Sequence, residues 1–221
     1  FTMSFKLLFT LLVTIFFTAC SFKAPINQWE INSANAYNKY TQNFLMQNIE
    51  LANSDLKSSI KYAKQSANLN QLARIYLGKC ALNISIGVDD SCEEYNEIKE
   101  LVKSNDLEIY YLMLQNSLSQ KDILFLPKEY KSFYKNKLEK NYTLAFESIK
   151  KENKITSLFL ASSLIKNELS KTQIEYLIEK SSYYGYKNIV LFWLNRLYLK
   201  EEDGKKKVLI KKNIELISGS K

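Results

Sequence analysis

From about residue 30 onward the apolar positions recur every three or four residues, the period of helices with one buried face. Tyr37, Tyr40, Thr41 and Phe44 stand at i, i+3, i+4 and i+7. Leu69, Leu72, Ala73 and Tyr76 repeat the spacing, as do Leu158, Ala161, Ser162 and Ile165, and again Leu191, Leu194, Asn195 and Tyr198. The third place in every set is small or polar, which predicts close approach by a neighbouring helix. Complementary helices are expected at Leu56, Ile60 and Ala63, at Tyr95, Ile98 and Val102, at Ile174, Leu177 and Ile178, and at Val208, Ile210 and Ile214. The expected fold class is all-α.

The first two faces lie 32 residues apart and the last two 33, a period typical of helical-hairpin arrays. The large-x-x-large-small-x-x-aromatic spacing of Leu69, Leu72, Ala73 and Tyr76 resembles the tetratricopeptide repeat. That resemblance implies a right-handed α-α superhelix, a solenoid of three to five hairpins with a concave face for a helix or extended peptide. The chain departs from the repeat in lacking its closing proline, in a long loop from Ile84 to Ser91, and in extra helix around Lys128 to Lys140 after Pro127. An irregular helical bundle is the alternative architecture.

The start of the chain has a different character. Phe1 and Thr2 precede Met3, which reads as the initiator, and Lys6 is followed by an apolar run from Leu7 to Ala19. Thirteen residues at about 1.5 Å each span about 20 Å, short of the ~30 Å hydrocarbon core, so a cleaved signal peptide over residues 1–19 is expected in place of a membrane span. Phe17-Thr18-Ala19-Cys20 resembles the lipobox of bacterial lipoproteins, with Phe17 where leucine is usual. The resemblance implies that Cys20 becomes an acylated N-terminus, with a tether over residues 20–29 and one helical domain over 30–221. Ser21 after the cysteine implies delivery to the outer membrane, facing the periplasm, with the outer leaflet of the inner membrane as alternative. An ordinary secretory peptide with a chance cysteine is the plainer reading.

Without Cys20, two thiols remain in a chain bound for an oxidising space. Cys80 falls near the end of one periodic segment and Cys92 near the start of the next. A disulfide between them would tie a helical hairpin across its loop and stabilise the fold by roughly 3 kcal/mol; two buried free thiols are the alternative.

The chain has 221 residues, 46% hydrophobic and 24% charged, with five glycines, two prolines and no histidine. This suits one domain with a sizeable core, and the missing histidine excludes Ser-His-Asp and Cys-His catalysis and most zinc sites. Ser-x-x-Lys occurs at Ser54/Lys57, Ser58/Lys61, Ser148/Lys151 and Ser163/Lys166, but without the accompanying Lys-Thr-Gly or Ser-Asp-Asn elements of penicillin-interacting enzymes. No phosphate loop is present either. The reading is therefore non-enzymatic, with no cofactor and no metal.

The net charge of +8 is unevenly spread: residues 85–110 hold eight acids against two lysines, leaving +14 for the rest. Dispersed lysines and only two arginines, Arg74 and Arg196, do not form a nucleic-acid footprint. Lys205–Lys207 and Lys211-Lys212 flank a C-terminal helix as a solvated face, with anionic lipid or an acidic partner as the other reading. Tyr183, Tyr184 and Tyr186 surround Gly185 in an expected inter-helix turn, with Gly185 at C′. Core packing and loop exposure account for the run, and a partner-binding surface is the alternative.

The functional expectation is a lipid-anchored periplasmic adaptor that binds another cell-envelope protein. In outline it is similar to repeat lipoproteins of outer-membrane, pilus or secretion, and flagellar-motor assembly. The alternative is an accessory factor that binds cell wall or regulates a synthase.

Overall fold

The computed structural model describes residues 27–219; the expected signal segment and the lipobox-like residues Phe17 to Cys20 lie outside them. All regular structure among the described residues is helical. The chain runs α1 (Gln28–Leu45), α2 (Ile49–Ala63), α3 (Asn70–Ser85), α4 (Glu93–Ile98) with a 3₁₀ turn Lys99–Leu101, and α5 (Asn105–Leu114). A second 3₁₀ segment, Gln120–Phe125, leads to α6 (Lys128–Leu138), α7 (Tyr142–Lys150), α8 (Ile155–Leu164), α9 (Lys171–Tyr183), α10 (Lys187–Lys200) and α11 (Gly204–Ser218). No described helix is long and apolar enough to cross a membrane.

Three sequential pairs form the most extensive antiparallel contacts: α1 with α2, α6 with α7, and α9 with α10. The first is locked by two buried serines. Ser33 Oγ donates to the Ser59 carbonyl at 3.0 Å and Ser59 Oγ to the Ser33 carbonyl at 2.9 Å. Side chains that small let the backbones approach closely, and the reciprocal bonds satisfy both hydroxyls.

Hairpin turns share one device. α1, α3, α5, α6 and α9 each end with a left-handed C′ residue, respectively Gln47, Gly87, Asn116, Lys140 and Gly185. In each, the C′ N–H bonds back to C2 and the following N–H to C3, as in Gly185 to Ser182 and Tyr186 to Ser181. This paired closure satisfies carbonyls that a helix end would otherwise orphan. Gly185 thus occupies the expected C′ place.

Helices α3 and α8 sit at the centre. α3 packs against α1, α2, α4, α5 and α8, while α8 also meets α6 and α7. Contacts therefore reach beyond sequence neighbours: Ser163 Oγ on α8 donates to the Ser85 carbonyl at 3.0 Å, and Asn188 Nδ2 on α10 donates to the Phe44 carbonyl at the end of α1. The small residues Ala73 and Ser162 are both fully buried, which answers the expectation of close packing at these two positions.

Elsewhere the faces turn differently. Asn195 is exposed, and the buried residues of α10 are Ile189, Val190, Trp193, Leu194 and Leu197, because α10 packs on α1 as well as on its neighbours α9 and α11. The helix expected through Val102 stops at Ile98; Val102 is extended, as is Ser104, which leads into α5. Val208, assigned to a packed face, is 67% exposed.

Glu201 fixes the junction of α9, α10 and α11. Its Oε1 accepts the N–H groups of Asp203 and Glu202 and pairs with Lys171 Nζ on α9 at 3.0 Å. The Asp203 N–H foremost, then Lys171, hold its carboxyl at about 2, below its ordinary 4.5. A folded-state pKa below the unfolded one contributes stability that is full above 4.5 and lost as pH falls toward 2. Glu201→Gln is expected to flatten that part of the acid limb, measured as thermal midpoint against pH, and to leave the pH dependence at neutrality unchanged.

Candidate functional site

A groove crosses the centre of the molecule between α1, α3, α5, α6 and α8. It comprises two cavities of about 630 and 560 Å³ that share Tyr37, Gly78, Tyr110, Tyr130 and Lys154. Gly78 lies mid-way along α3, where a Cβ would collide with the Tyr37 hydroxyl. Glycine costs about 1 kcal/mol inside a helix, and here it admits the tyrosine side chain of α1 onto the backbone of α3.

The floor is a phenol network. Tyr110 and Tyr130 pack ring against ring, with centroids 6.3 Å apart. The Tyr130 and Ser157 hydroxyls are 3.0 Å apart. Burial pushes the Tyr130 phenol up to about 12 and raises those of Tyr37 and Tyr110 as well. All three stay neutral across physiological pH, so the floor presents aromatic faces and uncharged dipoles.

Charge is confined to the lips. Arg74 and Asp106 line one end, and Lys154 Nζ pairs with Glu129 at 3.2 Å beside Tyr130. Burial acts to raise the Glu129 carboxyl, but a backbone hydrogen bond and Lys154 hold it below its ordinary value. Phe125, 56% exposed in the turn before α6, and Asn38 and Gln42 on α1 form the remaining rim. Such a surface can take up an apolar or aromatic side chain and hold its backbone at the rim.

Of the three tyrosines singled out from the sequence, Tyr186 lines this groove and packs edge-on to Phe159 at 6.2 Å. Tyr184 stacks on Tyr186 at 5.5 Å, and Tyr183, 83% exposed, meets Tyr184 edge-on at 5.2 Å. They form a ladder climbing out of the groove. Tyr110, Tyr130, Gly78 and Lys154 escaped the sequence reading, and Tyr37 entered it only as a helix face. The available signal was Gly78, an unexplained glycine inside a helical pattern.

The disulfide joins Cys80 of α3 to Cys92, the residue before α4, with Cα atoms 5.2 Å apart. Asp90 organises the loop: its carboxylate accepts Asn83 Nδ2 and the Cys92 N–H, both at 2.7 Å. Gln115 Nε2 from the end of α5 donates to the Asp90 carbonyl at 3.0 Å and lies 3.3 Å from Cys92 Sγ. The loop walls a second, polar cavity of about 450 Å³ containing Lys137, Ser163 and Lys166. Ser163 is committed to the Ser85 and Phe159 carbonyls and Lys166 to Asp89 at 3.2 Å. Lys137 sits 4.5 Å from the Tyr134 ring centroid, and burial lowers its ammonium pKa.

No protein family matches the chain, and no curated protein or solved structure is significantly similar to it.

Proposed function

We propose that this protein is a lipid-anchored adaptor of the bacterial periplasm, a degenerate array of helical hairpins that holds a segment of another cell-envelope protein in its tyrosine-lined groove. The observation that carries the reading is the groove itself: a neutral aromatic floor, a polar rim, and a glycine that opens α3 to Tyr37. A peptide laid there would bury apolar side chains at about 25 cal/mol per Å² while its backbone met the rim amides and charges. Acylation at Cys20 would confine the search for a partner to the membrane surface, with the outer membrane as the site of residence.

The test combines both parts. A photo-crosslinking amino acid is placed in intact cells at Phe125 or Asn38 on the rim, or at exposed Glu175 on α9. The two rim positions are expected to give the same discrete protein adduct and Glu175 none. Cys20→Ala is expected to release the chain from membranes washed in high salt, which an acylated chain resists, and to lower the adduct yield several-fold, as permanent confinement to the membrane surface is lost. Absence of a rim-specific adduct overturns the groove reading, and a Cys20→Ala chain that still resists high-salt extraction overturns the anchor. A second reading, binding to cell wall, is favoured by the exposed ladder of Tyr183 and Tyr184; retention on purified sacculi that depends on these two rings would select it.

A further inference from the structure

Helix α11 carries apolar residues on two sides, and its neighbours account for only one. Ile210, Ile214 and Ile217 pack inward, and Lys207 lies 4.9 Å from the ring centroid of Tyr198 on α10. On the other side Lys205, Val208, Leu209, Lys212 and Leu216 follow at i, i+3, i+4, i+7 and i+11. That spacing is one continuous helix face. Val208, Leu209 and Leu216 are 67%, 62% and 71% exposed, and Lys205 and Lys212 are exposed between them. The helix holds five lysines against one carboxylate, Glu215, whose only ion pair on this helix is to Lys211 at 3.9 Å. Asp203 caps the helix start by accepting the N–H groups of Lys205 and Lys206, so the face is formed before anything binds it.

We propose that the outer face of α11 lies on an anionic bilayer surface. Lysines within a turn of aliphatic side chains suit the boundary between phosphate headgroups and hydrocarbon: the stems lie along the apolar layer while the ammoniums reach the phosphates. A second copy of the chain fits the same face poorly, because a two-fold seam would bury the Lys205 and Lys212 ammoniums against a face that offers them no carboxylate. The same holds for a plain apolar partner helix. The face uses neither the groove nor the acyl chain, so the groove reading can fail while this one stands, and the reverse.

The test uses the full chain carrying Cys20→Ser, so that no acyl chain contributes. It is mixed with vesicles of phosphatidylethanolamine containing phosphatidylglycerol, or of phosphatidylcholine alone, and floated. Binding is expected to the anionic vesicles only, and to fall as salt is raised. Lys205→Gln with Lys212→Gln, and separately Leu209→Ser with Leu216→Ser, should each weaken partitioning about tenfold or more. All four side chains are exposed, and unchanged unfolding midpoints would show that the variants fold. Equal partitioning of parent and variants, equal recovery on phosphatidylcholine, a dimer dissolved by the leucine changes, or a protein adduct from a photo-crosslinker at Leu216 in intact cells would each overturn the proposal.

Discussion

Replacing Cys80 and Cys92 together with alanine is expected to lower the stability of the chain by about 3 kcal/mol. For a domain of this size that is a fall of about 6–12 °C in thermal midpoint. The disulfide closes a short loop, twelve residues in sequence separation, and its main effect is to remove loop conformations from the unfolded chain. Both sulfurs belong to residues only 1% exposed, so a further penalty comes from emptied space beside α3. The loop will not simply open, because Asp90 remains tied to Asn83 and to the Cys92 N–H, and Gln115 to the Asp90 carbonyl. Wild-type protein reduced with a thiol and the alanine pair are therefore expected to share a native-like helical spectrum and a similar midpoint, both well below the oxidised protein. A loss under about 1 kcal/mol would mean that the Asp90 network, and not the covalent link, holds the loop.

The bridge was legible because, with Cys20 set aside, two thiols remain at a spacing that a helix and the loop after it can close. Much else was legible for a similarly local reason. Helical period marks helices wherever a single face is buried, as in α2 and α9; Pro127 announces α6; and Gly185 marks a left-handed C′ because glycine occupies it without penalty. The same turn closes α1, α5 and α6 at Gln47, Asn116 and Lys140, and neither glutamine nor lysine advertises that conformation. These ends are imposed by the antiparallel packing of the helices they join, at a local cost of about 1 kcal/mol each.

Long-range placement was the other blind spot. On α8 every residue from Ser157 to Ser163 is buried, so the face Leu158, Ala161, Ser162 and Ile165 was one true face among several. The buried residues of α10 follow from contacts to three helices at once. A tyrosine in a seam and a tyrosine on a groove floor have identical periodicity, so Tyr37, Tyr110 and Tyr130 could be distinguished only by what lies opposite. The exposed stripe of α11 is the converse: Val208 joins a helical pattern as readily when it points away from the core as when it points in.

Gly87→Ala is expected to cost about 3 kcal/mol, roughly twice as much as Gly185→Ala, although both glycines end helices in the same left-handed conformation. The shared part is conformational: an alanine at positive φ is disfavoured by about 1–2 kcal/mol. The difference is space. Nothing lies within 4 Å of a Cβ at Gly185, whereas a Cβ at Gly87 would overlap the ring of Phe192 on α10. That ring has little freedom to retreat, since its centroid is 4.6 Å from that of fully buried Trp193, and forcing such a contact costs roughly 1–3 kcal/mol more. Phe192→Ala removes the obstacle, so Gly87→Ala in that background should cost only the conformational 1–2 kcal/mol. Denaturant unfolding of the four proteins in this cycle measures the coupling directly. A coupling of about 1 kcal/mol or more would establish that the loop after α3 is positioned by α10 as well as by its own disulfide. Additive costs would show that Phe192 rests on Gly87 without constraining it.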